Sequence, residues 1–160
     1  FLPLDNFFNG NDFIGFIEDF FNSITSMDRS EERKKTIQLN KEKYTLNKKG
    51  YLIVENRCNR DGIDGRQSYI KGRAFIQPNT GNAKLKVQFF FPFRAKYWII
   101  DLANDYSYAV VSHPNKKYLW ILCRIPKMDP KLYEQILEKL KNMGLDTGKL
   151  QLTPQVDETS

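Results

Sequence analysis

The 160-residue sequence predicts an all-β fold, namely an eight-stranded antiparallel up-and-down β-barrel with one C-terminal α-helix packed outside it. Three observations predict this fold. Seven strand-like segments follow one another between residues 36 and 124, about one every ten to twelve residues. Only turn-length sequences separate them, which favours antiparallel neighbours in a meander. One amphipathic helical pattern then follows at about 129–143.

The composition indicates a single globular domain over residues 1–160. Hydrophobic residues make up 41% and aromatic residues 14% of the chain, too many for a disordered protein. The formal net charge is +6, but the longest basic runs are only Arg33–Lys35 and Lys48–Lys49. A nucleic acid backbone needs a more concentrated basic stripe, so we predict no nucleic acid partner. No run of 18 apolar residues is present, so no transmembrane helix is predicted.

The strands between residues 36 and 124 are indicated by alternating side chains and by the turns that separate them. Residues 47–50 carry turn chemistry for a hairpin, and Gly50 can adopt a positive φ angle. The segments 66–77 and 84–89 alternate in their side chains with the two-residue period of a strand. Residues 78–82, with the sequence PNTGN, form the turn between them.

An eighth strand is expected within residues 16–27, because an open meander would leave two unpaired edges. The N-terminal segment 1–35 is atypical and mixes helical with strand spacing. We predict a short helical turn near 11–15 followed by the strand, and a longer helix is the competing interpretation. Eight strands form a barrel that is either packed or holds one small ligand.

The C-terminal helix has recognisable ends. Asp129 is a good N-cap, and Pro130 suits the first helical position. Gly144 suits the position just after the helix, and residues 153–160 read as a polar tail. The apolar stripe that should pack on the outside of the barrel consists of Leu132, Ile136, Leu137, Leu140 and Met143.

No catalytic or metal-binding pattern is evident in the sequence. His113 is the single histidine and lies in a predicted hairpin turn, where a nucleophile could hardly be placed beside it. Cys58 and Cys123 lie in separate strands without zinc spacing, and they form either one disulfide or two free thiols. We therefore predict no enzyme activity, no metal and no cofactor. The many strand aromatics either fill the core or line a cavity, and composition cannot choose between these.

The segment YWIIDLANDYSYAVVSHPNKKYLWILCRIPKMD strongly resembles the last strands of the lipocalin family, in the branch of the bacterial outer-membrane lipocalins and apolipoprotein D. The motif residues are Tyr97, Trp98, Asp101, Leu102, Asp105, Tyr106, Ala109, the run Tyr118–Arg124, and Pro126. The segments YTLNKKGYLIVENRCN and KLKVQFF resemble the second, third and fifth strands of that branch. The resemblance covers residues 36–152 and independently implies the eight-stranded barrel with an outer helix.

The sequence departs from the family pattern at the first strand. Lipocalins begin this strand with Gly-x-Trp, whereas Gly15 is followed by Phe16 and Ile17. In the family an arginine matching Arg124 lies across that tryptophan at the closed end of the barrel. The resemblance therefore implies closed-end roles for Gly15, Phe16 and Arg124, with Arg124 packed on Phe16 or Phe20.

The resemblance implies binding, transport or sequestration of a hydrophobic small molecule such as a fatty acid, lysophospholipid, sterol or haem-like compound, and protection against lipid oxidation would follow from it. The alternatives are a lipid-isomerising enzyme that uses Cys58 or Cys123, and a basic β-barrel that binds single-stranded nucleic acid. The ligand-binding positions implied by the family are Tyr44, Asn56, Val87, Phe89, Tyr97, Ile99, Tyr108, Trp120 and Leu122.

The resemblance further implies a secreted or extracytoplasmic protein whose signal peptide has been removed. The frequent Lys and Asn residues are typical of an A/T-rich genome, such as that of an apicomplexan parasite, where a vacuolar compartment is the alternative location. The apolar segments 1–8 and 89–93 carry more rings than a barrel mouth can bury. They indicate a further interface, formed with a second copy of the chain or with a membrane surface.

Overall fold

The described part of the polypeptide forms a twisted antiparallel sheet with one helix against its outer surface. A computed structural model describes residues 20–27, 37–60 and 64–153, and the side chains of 43–57, 59 and 64–153. The strands are β1 Phe20–Met27, β2 Ile37–Leu46, β3 Leu52–Arg60, β4 Arg66–Ile76, β5 Lys84–Gln88, β6 Ala95–Leu102, β7 Tyr108–Ser112, β8 Leu119–Cys123 and β9 Gln151–Leu152. The α-helix, α1, spans Pro130–Asn142, and a single 3-10 turn follows at Thr147–Lys149.

The first eight strands close into a ring. Strands β2 to β8 pair in sequence order, each antiparallel to the next. Strand β1 pairs with β8 on one side and with β2 on the other, which removes both edges of the meander. The eighth strand predicted within residues 16–27 is thus confirmed, and the competing helix is wrong for Phe20–Met27. The helical turn expected near 11–15 lies outside the described residues.

The tight turns follow the local sequence chemistry. Gly50 has a φ of 82° and donates its N–H to the Asn47 carbonyl over 2.9 Å, as the predicted hairpin requires. The PNTGN turn is also confirmed, with Asn79, Gly81 and Asn82 all at positive φ. Asparagine tolerates this region better than most residues because its short polar side chain can bond locally.

The meander gives the barrel two distinct ends. The end that carries the connections 89–94 and 113–118 is here called the rim. The opposite end, called the base, carries the hairpins 47–51, 77–83 and 103–107. Alternate connections of an up-and-down barrel lie at the same end. Because Arg124, the closed-end residue that the resemblance implies, is bonded to the 103–107 hairpin, the base is the expected closed end and the rim is the expected mouth.

Helix α1 begins and ends where the sequence predicts. The Asp129 side chain accepts the Leu132 N–H over 2.9 Å, and Pro130 is the first helical residue. After Met143, Gly144 at a φ of 75° donates to the Lys141 carbonyl, and Leu145 donates to the Leu140 carbonyl. This is the Schellman arrangement, which satisfies two carbonyls at the helix end.

The apolar stripe of α1 packs on the outer surface of the barrel wall, as predicted. The buried residues of this outer cluster are Ile100, Val110, Leu119, Ile121, Ile136, Leu140 and Leu145. Partly buried residues packed against them include Trp98, Tyr108, Leu132, Leu137 and Met143. No helix in the described part of the chain is both long and apolar enough to cross a membrane.

Candidate functional site

The inner face of the barrel is an apolar wall built by alternate residues of the strands. Because side chains one apart in a strand point to opposite faces, the second cluster of buried residues is the barrel interior. It consists of Tyr44, Leu52, Val54, Ala74, Ala83, Leu85, Val87, Ile99, Ala109, Val111 and Leu122. Partly buried residues that pack against this interior are Ile76, Tyr97, Leu102, Tyr106 and Trp120.

Two tyrosine hydroxyls meet inside this wall. Tyr44 lies on β2 and Tyr97 on β6, four strands apart in a ring of eight, so they extend from opposite walls. Their hydroxyl oxygens are 2.6 Å apart, and one hydroxyl donates to the other. Tyr44 is almost completely buried. A buried polar pair in an apolar interior can orient the polar group of an amphipathic ligand.

Stacked aromatic rings lead from this hydroxyl pair to the rim. The Tyr97 and Trp120 rings stack with centroids 6.0 Å apart. The Trp120 and Tyr118 rings are nearly parallel at 6.1 Å, and the His113 ring meets Tyr118 edge-on in the rim hairpin. A flat apolar surface thus extends from the centre of the barrel to its mouth.

Phe89 lies at the rim, over a gap that Gly72 provides. A Cβ atom at Gly72 would fall 2.6 Å from Phe89 Cδ1 and 2.7 Å from the Gln88 carbonyl oxygen. Gly72 alternates with the inward residue Ala74, so the Phe89 ring occupies the inner side of β4. The ring remains 38% exposed. A larger residue at position 72 would displace it from the mouth.

Eight of the nine ligand-binding positions implied by the resemblance lie on the inner face of the barrel or at its mouth. Six belong to the inner cluster or pack against it, and they are Tyr44, Val87, Tyr97, Ile99, Trp120 and Leu122; the seventh is Phe89. Asn56 is half-buried, and it has the same strand parity as Leu52 and Val54, which places it on the inner face. Whether these positions hold a ligand stays a prediction.

The ninth position, Tyr108, is wrong as an interior residue. Its ring packs in the outer cluster, and its hydroxyl donates to Asp101 Oδ2 over 3.1 Å. Burial and the Asp101 carboxylate raise the pKa of Tyr108 to about 12. This position came from the resemblance to lipocalins; in the structure Ala109 and Val111 face the interior, so Tyr108 faces the opposite side of β7, which α1 covers.

Arg124 is held at the base, the expected closed end. Its Nε donates to the Tyr106 carbonyl over 2.8 Å, and its backbone N–H donates to the Ser107 carbonyl over 3.0 Å. Tyr106, at a φ of 60°, packs its ring against the interior. The predicted aromatic partners of Arg124, at positions 16 and 20, and Gly15 lie outside the described side chains. The closed-end role of these residues stays a prediction.

The ligand-binding positions expected from the sequence omit several residues of the inner wall, and they omit Tyr106, whose ring packs against the interior at the base. Leu52, Val54 and Leu85 line the interior, and the alternation of their strands was the available signal. Tyr106 lies in the turn 103–107 and has no periodicity to reveal it. Its inward packing depends on a positive φ angle, which sequence patterns rarely predict for tyrosine.

The described titratable groups do not assemble a reactive centre. No group of three or more His, Cys, Asp or Glu side chains within the described ranges could hold a metal ion. Cys123 is a free, buried thiol, and burial raises its pKa, which disfavours the thiolate. It pairs with Tyr108 and so shares the outer face. The Cys58 side chain lies outside the described residues.

Comparison with known proteins identifies the family. The family model described as "Lipocalin-like domain" matches residues 22–155, which is most of the chain. The protein is a lipocalin. Members of this family generally bind small hydrophobic ligands in a binding or transport role. Family membership leaves the ligand of this lipocalin, and its place in the barrel, to be argued from the residues of this chain.

The curated relatives come from plants, bacteria and animals. Temperature-induced lipocalin-1 of Arabidopsis thaliana is 36% identical over 71% of this chain and 64% of its own length. Apolipoprotein D of Bos taurus is 30% identical over 97% of this chain and 81% of its own length. Outer membrane lipoprotein Blc of Vibrio cholerae is 34% identical, and the match covers 63% of it. This lipocalin thus spans less than two thirds of the plant and bacterial relatives.

Solved structures agree on the fold. Apocrustacyanin C2 superimposes with a TM-score of 0.70, covering 92% of this chain and 82% of that one at 14% identity. The cockroach allergen Per a 4 gives a TM-score of 0.67, covering 93% and 91% of the two chains at 17% identity. Sequence identities this low establish a shared barrel and leave the ligand to the residues of this chain.

Proposed function

We propose that this lipocalin binds an amphipathic hydrophobic molecule in its barrel, with a fatty acid or lysophospholipid as the best match and a sterol or haem-like compound as wider possibilities. The observation that carries the proposal is the Tyr44–Tyr97 hydroxyl pair inside an apolar wall, reached from the rim along Trp120. An apolar chain would lie against the wall. The hydroxyls and Asn56 would orient one polar group.

The binding energy would come mainly from the apolar area that the ligand removes from water. Burying roughly 300 Å² of an acyl chain would contribute about 7 kcal/mol at ~25 cal/mol per Å², before the cost of ordering the ligand. Because Tyr97 is bonded to Tyr44 and stacks on Trp120 across the interior, a deeply bound ligand must displace these rings. Trp120 would therefore sense the ligand directly.

The two tryptophans of the chain allow a matched test, because Trp120 faces the interior and Trp98 faces the outer cluster. Trp98→Phe leaves Trp120 as the single emitter, and Trp120→Phe leaves Trp98. Titration with oleate should shift Trp120 emission saturably and leave Trp98 emission unchanged. Binding in the barrel would be contradicted if oleate shifted the emission of both variants equally, or if it shifted the emission of neither.

A second variant measures affinity. Trp120→Glu puts a carboxylate among apolar residues, where it would repel the carboxylate of a fatty acid, so binding of a fluorescent fatty acid should weaken by more than about tenfold. Circular dichroism should give the wild-type spectrum for this variant. Wild-type affinity in a folded Trp120→Glu protein would contradict the proposal.

Protection against lipid oxidation would follow from sequestration, since an unsaturated chain enclosed by the wall is shielded from dissolved oxidants. The names of two relatives, outer membrane lipoprotein Blc and apolipoprotein D, support an extracytoplasmic location for this chain. The buried thiol of Cys123 on the outer face gives no support to an isomerase that uses this cysteine. We therefore propose a binding function without catalysis.

The exposed rings of residues 89–93 support a further contact, made with a membrane surface or with a second copy of the chain. A homo-oligomer would bury these rings in a self-complementary interface. Analytical ultracentrifugation would then give a mass that rises with protein concentration. The segment 1–8, expected to contribute to the same contact, lies outside the described residues.

A further inference from the structure

The rim carries an exposed group of aromatic side chains, here called the phenylalanine loop, at residues 89–94. Phe90 is 70% exposed, Phe91 89% and Phe93 77%, whereas Phe89 turns toward the interior. The Phe93 N–H donates to the Phe90 carbonyl over 2.9 Å, so the loop is a defined turn. Three adjacent phenylalanines this exposed cannot be explained by packing within the described chain.

A band of positive charge adjoins the phenylalanine loop. Cross-strand pairing gives the outward positions of β4, β5 and β6 a common face. Its cations near the loop, here called the basic band, are Lys71, Arg73, Lys86, Arg94 and Lys96. The carboxylate that faces outward on these strands, Asp101, is buried and paired with Lys139 beneath α1.

The neighbouring strand β3 does little to offset this charge. Its carboxylate, Glu55, accepts the Tyr69 hydroxyl and lies 3.8 Å from Lys71 Nζ. Arg57 on the same strand adds a further cation over the Tyr69 ring. In the β3–β4 connection at the rim, the exposed Asp64 is followed by Arg66, the first residue of β4. The described rim surface from β3 to β6 therefore combines an excess of cations with a projecting apolar loop.

The arrangement of rings and cations fits a lipid surface better than a nucleic acid. Bases bind single-strand proteins by stacking on open aromatic faces. Here guanidinium groups cover the ring faces of the sheet: Arg73 lies 5.3 Å from the Tyr51 centroid, and Arg94 lies 4.0 Å from that of Phe75. The uncovered rings are those at the loop tip, where they can enter an acyl boundary while cations meet headgroups.

We propose that the phenylalanine loop and the basic band dock the rim of the barrel on anionic phospholipid bilayers. Phe90, Phe91 and Phe93 would insert at the level of the headgroups, and the basic band would contact the anionic lipids beside them. The barrel mouth would then face the lipid. Docking itself needs no bound ligand, whereas direct passage of a lipid between bilayer and barrel rests on the proposed function.

The test is vesicle flotation of the full chain. Wild-type protein should float with vesicles of phosphatidylcholine containing about 30% phosphatidylserine, and much less with pure phosphatidylcholine. Phe91→Ser with Phe93→Ser should lower binding by about tenfold or more. The matched control is Ile125→Ser at the base, where a 59% exposed apolar side chain should make no difference.

Two double variants, one on the basic band and one on α1, test the contribution of positive charge to vesicle binding. Lys86→Gln with Lys96→Gln should weaken binding to anionic vesicles by about fivefold for each lysine. Lys131→Gln with Lys141→Gln removes the same charge from the exposed side of α1 and should leave binding unchanged. Circular dichroism checks that each variant is folded. If both double variants lose vesicle binding equally, the position of the lysines does not matter, and the proposed docking surface is refuted in favour of attraction by the net charge alone.

Other outcomes also overturn the proposal. Absence of flotation with anionic vesicles refutes it, and a concentration-dependent mass abolished by Phe91→Ser and Phe93→Ser would then assign the rings to a second copy. Salt-sensitive binding of an oligonucleotide, without vesicle binding, would assign the basic band to nucleic acid. Because flotation is measured without ligand, its failure is distinct from a failure of oleate binding.

Discussion

Tyr108 is a residue whose ionisation the fold changes strongly. Its hydroxyl donates to Asp101, and burial with the nearby carboxylate raises its pKa to about 12 from an ordinary value near 10. The folded chain therefore holds this proton more tightly than the unfolded chain. The stability that results is fully present below about pH 10 and is lost as the pH rises toward 12.

We expect this linkage to be visible in Tyr108→Phe. The variant should unfold more easily than wild type at about pH 8, by roughly 1 kcal/mol, because Asp101 loses a hydrogen bond. The difference should shrink by about pH 11, where the unfolded wild-type chain releases the Tyr108 proton and is thereby favoured. Urea unfolding at both pH values measures it. A difference that stays constant would contradict the linkage.

At the scale of the element, the attachment of α1 to the barrel depends on the buried carboxylate of Asp101. Lys139 Nζ lies 2.5 Å from Asp101 Oδ1, and the Asp101 side chain is almost fully buried. The β-bulge between Ile99 and Asp101 directs both Ile100 and Asp101 to the helix side. The ion pair thus joins a bulge in β6 to the apolar stripe of α1.

Removing Lys139 leaves the buried Asp101 carboxylate without its ion-pair partner, which should destabilise the fold. Lys139→Met should lower the free energy of unfolding by about 1–2 kcal/mol, less than for a fully buried pair because the lysine side is 44% exposed. Lys141→Met, at an exposed position of the same helix, is the control and should change stability by less than about 0.5 kcal/mol. Equal effects in urea unfolding would contradict this account.

At the scale of the whole molecule, the Tyr44–Tyr97 contact connects opposite walls of the barrel. Single Tyr→Phe variants at these positions should each lose about 1 kcal/mol, and the double variant should lose little more than one of them. The coupling energy from this double-mutant cycle is therefore about 1 kcal/mol. Strict additivity in urea unfolding would show that the hydroxyls do not stabilise each other.

Much of the fold could be predicted from the sequence because its signals are local. Turn residues such as Gly50, the Asp129 cap and Gly144 act within a few positions of the chain, and they fixed the first hairpin and both ends of α1. The regular strand spacing, together with the need to remove sheet edges, indicated closure by a strand within 16–27. The candidate site came from the resemblance to lipocalins, whose ligand positions were carried over residue by residue.

The sequence by itself determined the strands and the ends of the helix, since two-residue periodicity and capping are properties of neighbouring residues, and the resemblance to lipocalins supplied most of the predicted inner-wall positions. Only the tertiary structure decided which apolar residues face inward once α1 covers the outer face, as at Tyr108 and Trp98. It also decided the meeting of Tyr44 with Tyr97 and the joining of the phenylalanine loop to the basic band. These contacts depend on strand register and closure, which bring together residues far apart in the chain.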